Sequence, residues 1–273
     1  MIARVEHITS LEMPELEPYR TLKRPLEHLR KGIFVAEGEK VVSRLLASNI
    51  RIFSLLITPQ WFEQYRATIE QHTDVLDIYI GEKKLLDTIV GYELHQAMMA
   101  IAKVPKRKTV NELASMLTEK EHFTGVVLDG IVNAENMGVI LRNCACLGVD
   151  AVMVLPSSCD PYLRRSVRNS MGNIFQLNIV DMLNPLHDVD LLKKMGTTFY
   201  AAHPNKKSHD IRYVHFAERS CVVLGAEGHG ISPAILNLCD EYVTIPMKEG
   251  VDSLNVASAS AVILWELQRG ARI

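Results

Sequence analysis

The sequence predicts an α/β protein in two parts: a small N-terminal α/β domain and a larger domain with a mainly parallel sheet. Short runs rich in β-branched and apolar residues alternate with amphipathic segments along the whole chain. In the second part some of these runs, such as residues 125–128, are apolar without a break. Such runs are typical of parallel strands that are covered on both faces.

The first part is predicted to fold as a small α/β unit. Pro59 favours the start of a helix, because proline fits the first helical position. Helices are predicted at 15–31, 39–47, 59–71 and 82–88, and strands at 33–36, 52–57 and 75–80. The stretch 92–102 then leads into a basic segment that contains Pro105, which predicts a linker over 103–120. The predicted domains are therefore 1–102 and 121–273, and the second, which has the more regular sheet, is expected to be catalytic.

The second part has a more regular alternation of strands and helices. Strands are predicted at 124–129, 151–155, 175–180, 197–202, 220–225 and 242–246. Helices are predicted at 137–147, 161–170, 186–194, 233–238 and 254–269. Ligands of open parallel sheets bind at the carboxyl ends of the strands, so the chemistry is expected in the loops that follow these strands.

Composition limits the possible classes of function. The net charge of the 273 residues is −2, so binding to nucleic acid would depend on local basic clusters. Each cluster is equally compatible with a solvated surface. Three clusters are present: Lys103, Lys106, Arg107 and Lys108; Arg164, Arg165 and Arg168; and Arg20, Lys23, Arg24, Arg30 and Lys31.

The five cysteines lack metal-site spacing and are predicted to be reduced thiols, with no metal bound. The N-terminus has no secretory signal, and no stretch is apolar enough to span a membrane. These features predict a cytoplasmic protein without a membrane partner.

The first candidate segment follows the strand at 124–129. A polar loop leads into a helix, for which Asn136 is predicted as the N-cap. Arg142 lies among apolar residues of this helix. It needs a partner or an anionic ligand there, unless its side chain extends to solvent.

The second candidate segment is a glycine-rich loop after the strand at 220–225. Gly225, Gly228 and Gly230 would let the backbone approach a ligand, and Ser232 with Pro233 predicts the next helix start. The loop matches neither the phosphate-binding loop nor the dinucleotide fingerprint. Glu227, between two glycines, has no evident structural purpose.

The third candidate segment joins the last strand to the last helix. Ser253 is predicted as the N-cap of this helix, and Asn255 would lie in its first turn, where it caps the helix or faces a ligand. The small residues at 257–261 would allow close packing of the helix.

Taken together and in this order, the three segments resemble the SpoU, or TrmH-like, branch of the SPOUT RNA methyltransferases. The matching motifs are Asn136-x-Gly138-x-x-x-Arg142, Gly225-x-Glu227-Gly228, and Ile245-Pro246-Met247 followed by Ser253-Leu254-Asn255-Val256; the stretch Arg168-Asn-Ser170-Met-Gly172 adds support. The resemblance covers about 123–270. Residues 30–38 also resemble the accessory RNA-binding domain of that family, which is similar to a ribosomal-protein fold. Asn143 departs from the family pattern, where threonine or serine is commoner.

The resemblance implies an α/β trefoil knot, a homodimer, and S-adenosylmethionine as the cofactor for 2′-O-methylation of ribose in RNA, with rRNA favoured over tRNA. It implies that Arg142, Asn136, Glu227, Ser253 and Asn255 are catalytic. Asn136 would position Arg142 or the ribose, and Glu227 would pair with Arg142 or with the ribose hydroxyls. Ser253 and Asn255 would orient the nucleophile and the cofactor. The implied cofactor-binding residues are Leu224, Gly225, Ala226, Gly228, Ile245, Pro246, Met247, Ser253, Leu254, Asn255 and Ala257.

Two alternatives compete with this hypothesis. A non-catalytic RNA-binding protein could use the same fold, although all the expected catalytic residues are present. A nucleotide-dependent oxidoreductase could carry an atypical glycine-rich loop, although neither part has a dinucleotide fingerprint after its first predicted strand.

Overall fold

The computed structural model describes residues 2–72, 76–90, 97–205, 207–250 and 253–270. It divides the chain into two compact units. Unit 1 comprises Met1–Pro105 and Pro161–Phe175, and unit 2 comprises Lys106–Asp160 and Gln176–Ile273. The predicted start of a strand at Val75 and the stretch 92–96 lie outside the described residues. No helix among those residues is long and apolar enough to cross a bilayer.

Strands and helices mostly alternate along the chain. They are β1 (Ile2–Ile8), α1 (Glu17–Arg20), α2 (Pro25–Arg30), β2 (Ile33–Glu37), α3 (Glu39–Leu46), β3 (Ile52–Ile57), α4 (Pro59–Gln71), β4 (Leu76–Gly81), α5 (Lys83–Val90), β5 (Met98–Lys103), β6 (Lys108–Thr109), α6 (Val110–Leu117), β7 (Phe123–Leu128), α7 (Ala134–Cys146), β8 (Ala151–Val154), α8 (Arg164–Asn169), β9 (Ile179–Asp181), α9 (Pro185–Lys194), β10 (Thr198–Ala202), β11 (His209–Asp210), β12 (Arg219–Leu224), α10 (Pro233–Leu236), β13 (Glu241–Thr244) and α11 (Val256–Gly270).

Unit 1 contains a mixed sheet of five strands in the order β1-β4-β3-β5-β2. β5 runs antiparallel to β2 and β3, and the other pairs are parallel. The prediction of one helix over 15–31 was wrong. Two short helices form there, because proline interrupts a helix and favours a new first turn at Pro25.

The segment Pro161–Phe175 joins unit 1 through charge as well as packing. Glu37 has only 4% of its side chain exposed, and Arg164 and Arg168 on α8 both pair with it. Phe34 packs against the rings of Tyr162 and Phe175. Two arginines of the predicted basic cluster at 164–168 therefore neutralise a buried carboxylate.

Unit 2 contains an eight-stranded sheet in the order β11-β13-β10-β12-β7-β8-β9-β6. All its strand pairs are parallel, which confirms the prediction of a mainly parallel sheet. Apolar side chains such as Phe123, Val127, Met153 and Val223 form the core along the central strands. The predicted strand over 175–180 is shorter than expected, because a 3-10 turn at Asn173–Gln176 precedes β9.

The stretch predicted as a linker, 103–120, contains β6 and α6. Thr109 and Glu112 form a capping box at the start of α6, in which the side chain of each residue accepts a hydrogen bond from the backbone amide of the other. Arg107 pairs with Asp160 and, at 2.9 Å, with Asp181. Part of the predicted basic cluster at 103–108 thus holds unit 2 together.

Candidate active site

A cavity of about 380 Å³ opens at the carboxyl ends of β10, β12 and β13 in unit 2. These three strands lie close together in the sheet, with β12 next to β7. Parallel strands place the loops after their carboxyl ends at one edge, where ligands of such sheets bind. The lining residues are Ala202, His203, Pro204, Leu224, Gly225, Ala226, Glu227, Gly228, His229, Gly230, Val243, Thr244, Ile245, Met247, Ser253, Leu254, Val256, Ala259 and Ile263.

Most residues expected to bind a cofactor line this cavity. They are Leu224, Gly225, Ala226, Gly228, Ile245, Met247, Ser253 and Leu254. Pro246, Asn255 and Ala257 are not among its lining residues. Sequence reasoning missed Ala202, His203 and Pro204. The signal was present, because these residues end or directly follow a predicted strand.

The glycine-rich loop after β12 is closed at its base. The backbones of Ala226 and Gly230 exchange two hydrogen bonds, of 3.0 and 2.9 Å, which puts Glu227 at the tip of a tight turn. A Cβ on Gly225 would lie 2.3 Å from the carbonyl carbon of Gly230 and from the nitrogen of Ile231. Only glycine permits this backbone approach.

Asn255 connects two sides of the site. Its Oδ1 accepts hydrogen bonds from the backbone amides of Ala257 (2.9 Å) and Ser258 (3.3 Å), so Asn255 caps α11. Its Nδ2 donates to Oδ1 of Asn136 (3.2 Å) and to Oε1 of Glu227. The prediction of Ser253 as the N-cap was wrong, because α11 begins immediately after Asn255.

Asn136 is free to meet Asn255 because a different residue caps α7. Oδ1 of Asn133 accepts from the amides of Glu135 (2.7 Å) and Asn136 (3.3 Å). The prediction of Asn136 as the N-cap was therefore wrong, since α7 begins earlier than expected.

Asn143 lies two helical turns after Asn136, on the same face of α7. Its Nδ2 donates to the carbonyl oxygen of Ala257 and to Oγ of Ser260, both at 2.9 Å. Two asparagines thus fix α7 against α11, and Asn143 has this structural role where the family pattern has threonine or serine.

Arg142 is exposed on α7, and within the described residues it has no hydrogen bond or ion pair. Six residues separate it from Asn136, which turns it about 240° around the helix. No hydrogen bond or ion pair joins it to Asn136 or Glu227 among the described residues, and both of these bond to Asn255 instead. Its guanidinium is therefore available to an anionic ligand.

None of the five cysteines lines the cavity. All five lie in the described ranges and are thiols rather than disulfides. Burial raises the pKa of Cys144 and Cys221, and it raises the pKa of Cys239 to about 12. In the same ranges, no three metal-ligating side chains come together.

Comparisons with known proteins give the site its context. Residues 124–265 match the SpoU rRNA Methylase family. An uncharacterized tRNA/rRNA methyltransferase of Mycobacterium tuberculosis is 31% identical over 97% of this chain and 92% of its own length. A 23S rRNA (guanosine-2′-O-)-methyltransferase of Vibrio parahaemolyticus is 29% identical over 68% of this chain and 75% of its own length.

Solved structures share the fold over nearly the whole chain. An AdoMet-bound rRNA methyltransferase of Sinorhizobium meliloti superposes with a TM-score of 0.82 at 24% identity, covering 97% of this chain and 98% of that one. The SpoU methyltransferase AviRb of Streptomyces viridochromogenes, in complex with AdoMet, gives 0.79 at 23% identity, with 95% and 99% covered. These likenesses show the fold. The family match over residues 124–265 and the relative that is 31% identical show that the chain belongs to the SpoU rRNA methylase family.

Proposed function

We propose that this protein methylates a ribose 2′-hydroxyl in structured RNA with S-adenosylmethionine, and that rRNA is favoured over tRNA as the substrate. The observation that carries the proposal is the cluster of Asn136, Asn255 and Glu227 beside a cavity walled by a glycine-rich loop. The relative from Vibrio parahaemolyticus, named for 2′-O-methylation of guanosine in 23S rRNA, supports both the reaction and the substrate class.

The cavity fits the proposed cofactor. Its volume of about 380 Å³ lies in the range of small-molecule sites. Gly225 gives one wall of bare backbone, while Ile245 and Met247 add apolar surface that suits an adenine ring. When bound, S-adenosylmethionine supplies an electrophilic methyl group. The residues proposed to hold it are Leu224, Gly225, Ala226, Gly228, Ile245, Pro246, Met247, Ser253, Leu254, Asn255 and Ala257.

The side chains of the chain divide the remaining tasks. The guanidinium of Arg142 would bind the phosphate beside the target ribose and stabilise negative charge on the attacking oxygen. Asn255 holds Oε1 of Glu227, so Oε2 would accept a hydrogen bond from a ribose hydroxyl. Ser253, exposed on the cavity wall, would help to orient the same ribose. The need for a 2′-hydroxyl makes RNA rather than DNA the substrate.

RNA contacts outside the active site are proposed for residues 1–102. In the third basic cluster, Arg20 and Lys31 pair with Glu12 and Glu17. Lys23 and Arg30 are exposed, and among the described residues neither has a partner. These two side chains are therefore the best candidates for phosphate contacts in that cluster.

We also propose a homodimer, as the family resemblance implies. Val262 and Trp265 on α11 are 39% and 59% exposed, which leaves an apolar surface that a second copy could cover. The trefoil knot is a proposal too. It rests on the family resemblance, and the parallel sheet is compatible with it. The proposed location is the cytoplasm, where the substrate RNA would be found.

The test is transfer of tritiated methyl groups from S-adenosylmethionine to total RNA that lacks native modifications. We expect wild type to form 2′-O-methyl nucleotides in one RNA class, and Arg142→Ala to lose about 10²–10³-fold in rate, as when one oxyanion donor is removed. Lys194→Ala, which removes an exposed cation on α9, is the matched control and should retain the rate.

Two outcomes would contradict the proposal. Transfer to a base rather than to a ribose would exclude the 2′-hydroxyl as acceptor. If the protein methylated no RNA and calorimetry detected no binding of S-adenosylmethionine, the proposed methyltransferase activity would be excluded. Salt-dependent RNA binding by that inactive protein would then favour the non-catalytic alternative.

A further inference from the structure

Asp129, directly after β7, makes an unusual set of contacts for a buried acid. Asp129 is only 4% exposed, and among the residues that the structure describes no cation pairs with its carboxylate. Oδ2 accepts the backbone N–H of Ser232 at 2.7 Å, and Oδ1 accepts the hydroxyl of Ser157 at 2.8 Å. Burying a carboxylate is costly unless hydrogen bonds compensate. These contacts compensate the burial and, in doing so, join three loops of unit 2.

The contact with Ser232 anchors the loop that carries Glu227. Ser232 comes two residues after Gly230, which closes the base of the turn through its bonds with Ala226. Between them, Ile231 is 2% exposed and belongs to the core. The carboxylate of Asp129 therefore holds the end of this loop in place, and with it the wall of the cavity.

The contact with Ser157 fixes the direction of the carboxylate. The hydroxyl of Ser157 accepts the N–H of Gly130 at 3.0 Å, so its single proton is left for Oδ1 of Asp129. Ser158 repeats the arrangement one residue later, accepting from Ile131 and donating to the carbonyl of Leu128. With Oδ1 held by the loop after β8, Oδ2 faces Ser232.

The loops after β7 and β12 also touch beside Asp129. Gly130 has φ +71°, and a Cβ there would lie 3.3 Å from Cβ of Ala226. The backbone N–H of Asp129 itself donates to the carbonyl of Leu224 at 2.9 Å. The carboxylate thus completes a connection that the backbone begins.

We infer that Asp129 is a positioning residue for methyl transfer: it holds the loop with Glu227 in the geometry that the cofactor and the ribose need. Asp129 is not among the residues that line the cavity, so it acts through Ser232. The inference rests on the proposed function.

The experiment compares Asp129→Ala with Asp129→Asn in the full chain, using S-adenosylhomocysteine as the probe. The alanine variant removes both acceptors and should weaken binding about tenfold, the effect of losing a hydrogen bond to a charged group. Amide hydrogen exchange over 226–232 should accelerate at the same time. The asparagine variant can turn its oxygen to Ser232 and should restore near wild-type affinity and exchange.

Asp150→Ala is the matched control. Oδ2 of Asp150 also accepts a backbone amide, that of Thr124 at 2.9 Å, but at the opposite end of the sheet. This variant should lose thermal stability without a change in affinity for S-adenosylhomocysteine. Affinities are compared at temperatures where thermal unfolding shows each variant to be folded.

Wild-type affinity and exchange in Asp129→Ala would overturn the inference. An asparagine variant that binds about tenfold more weakly than wild type would also overturn it, because it keeps an acceptor for Ser232 and should bind like wild type. This comparison with wild type stands even if Asp129→Ala does not fold. If wild type itself fails to bind S-adenosylhomocysteine, the proposed function fails, while exchange over 226–232 still decides whether Asp129 anchors the loop.

Discussion

The carboxylates beside the cavity in unit 2 differ from those at the opposite end of the parallel sheet. At the amino end, Asp150 accepts the amide of Thr124 and pairs with Lys120 at 2.7 Å, and Asp240 accepts the amide of Phe199 and pairs with Lys193 at 2.6 Å. At the carboxyl end, Asp129 and Glu227 bind hydroxyl, backbone or side-chain amide groups. Within the described part of the chain, neither has a cationic partner.

The difference indicates two roles for these carboxylates: a structural role for those paired with lysine, and a role in ligand binding for those held by neutral donors. A lysine that neutralises its carboxylate ties neighbouring strands together, and the pair is then complete. A carboxylate held only by neutral donors keeps its charge and can accept further hydrogen bonds from a ligand. The difference therefore agrees with the cavity in placing the site at the carboxyl ends of β7 and β12. Asp160 and Asp181, which lie after β8 and at the end of β9, have a cationic partner in Arg107 and do not line the cavity.

Glycines at the two ends of the sheet are also required for different reasons. Gly148 and Gly196, before β8 and β10, have φ of +71° and +83°, and a Cβ on either would meet nothing within 4 Å. These residues are glycine because of backbone conformation. Gly225, at the carboxyl end of β12, is glycine because other backbone atoms occupy the place of a Cβ.

The largest effect is expected for Gly225→Ala. Its Cβ would meet backbone atoms at 2.3 Å, so the loop must shift, at a cost of about 1–3 kcal/mol in the free energy of unfolding. Binding of S-adenosylhomocysteine should be lost with the shift. Urea unfolding and calorimetry measure the two quantities.

Gly228→Ala, three residues along the same loop, is the control for stability. A Cβ there would meet nothing within 4 Å, and its φ is not in the left-handed region. Its free energy of unfolding should change by less than about 0.5 kcal/mol. Equal destabilisation by both substitutions would show that the close approach of the Gly230 and Ile231 backbone to Gly225 is not the reason for the loss of stability.

A smaller effect is expected for Asn255→Asp. Aspartate caps a helix as well as asparagine does, so α11 should keep its stability. It cannot donate to Glu227, however, and it places a second negative charge beside that carboxylate. We expect methyl transfer to fall about tenfold, as for a lost hydrogen bond to a charged group.

Asn255→Ser tests the same contact with a side chain that can still donate a hydrogen bond. Serine keeps a capping oxygen and one hydroxyl donor, so its rate of transfer should exceed that of the aspartate variant. If the aspartate variant transferred methyl groups as fast as wild type, the link between Asn255 and Glu227 would have no role in the reaction.

Local signals in the sequence predicted several elements well. The helix at Pro59–Gln71 and the strand at Ile52–Ile57 have the predicted bounds, because a proline at the first helical position and a run of β-branched and apolar residues act locally. β1 was missed, since Arg4, Glu6 and His7 make it too polar to recognise without its partner β4. The helix α6 was missed although its capping box, Thr109 with Glu112, was legible.

The candidate site shows the same limit. The motifs brought Glu227, Asn136 and Asn255 into one hypothesis, and the structure brings these three side chains together. Their partners could not be read from spacing alone, because asparagine and serine are both good caps, and Asn133 and Asn255 take that role. His203 directly follows a predicted strand, but the sequence did not show that this strand end lies at the cavity, because that depends on β10 lying between β12 and β13 in the sheet.

The smallest effect, and the sharpest test of the contrast between the two ends, is expected for Asp150→Ala. The substitution removes the acceptor for the amide of Thr124 and should lower the free energy of unfolding by about 1 kcal/mol, measured by urea unfolding. Asp150→Asn keeps that acceptor and loses only the pair with Lys120, which is 49% exposed and therefore contributes little. Both variants should bind S-adenosylhomocysteine like wild type, because the cavity lies at the other end of the strands. If an Asp150 variant bound S-adenosylhomocysteine as weakly as Asp129→Ala does, carboxylates at both ends of the sheet would affect the site through the overall stability of unit 2. The distinction between structural and ligand-binding carboxylates would then be wrong.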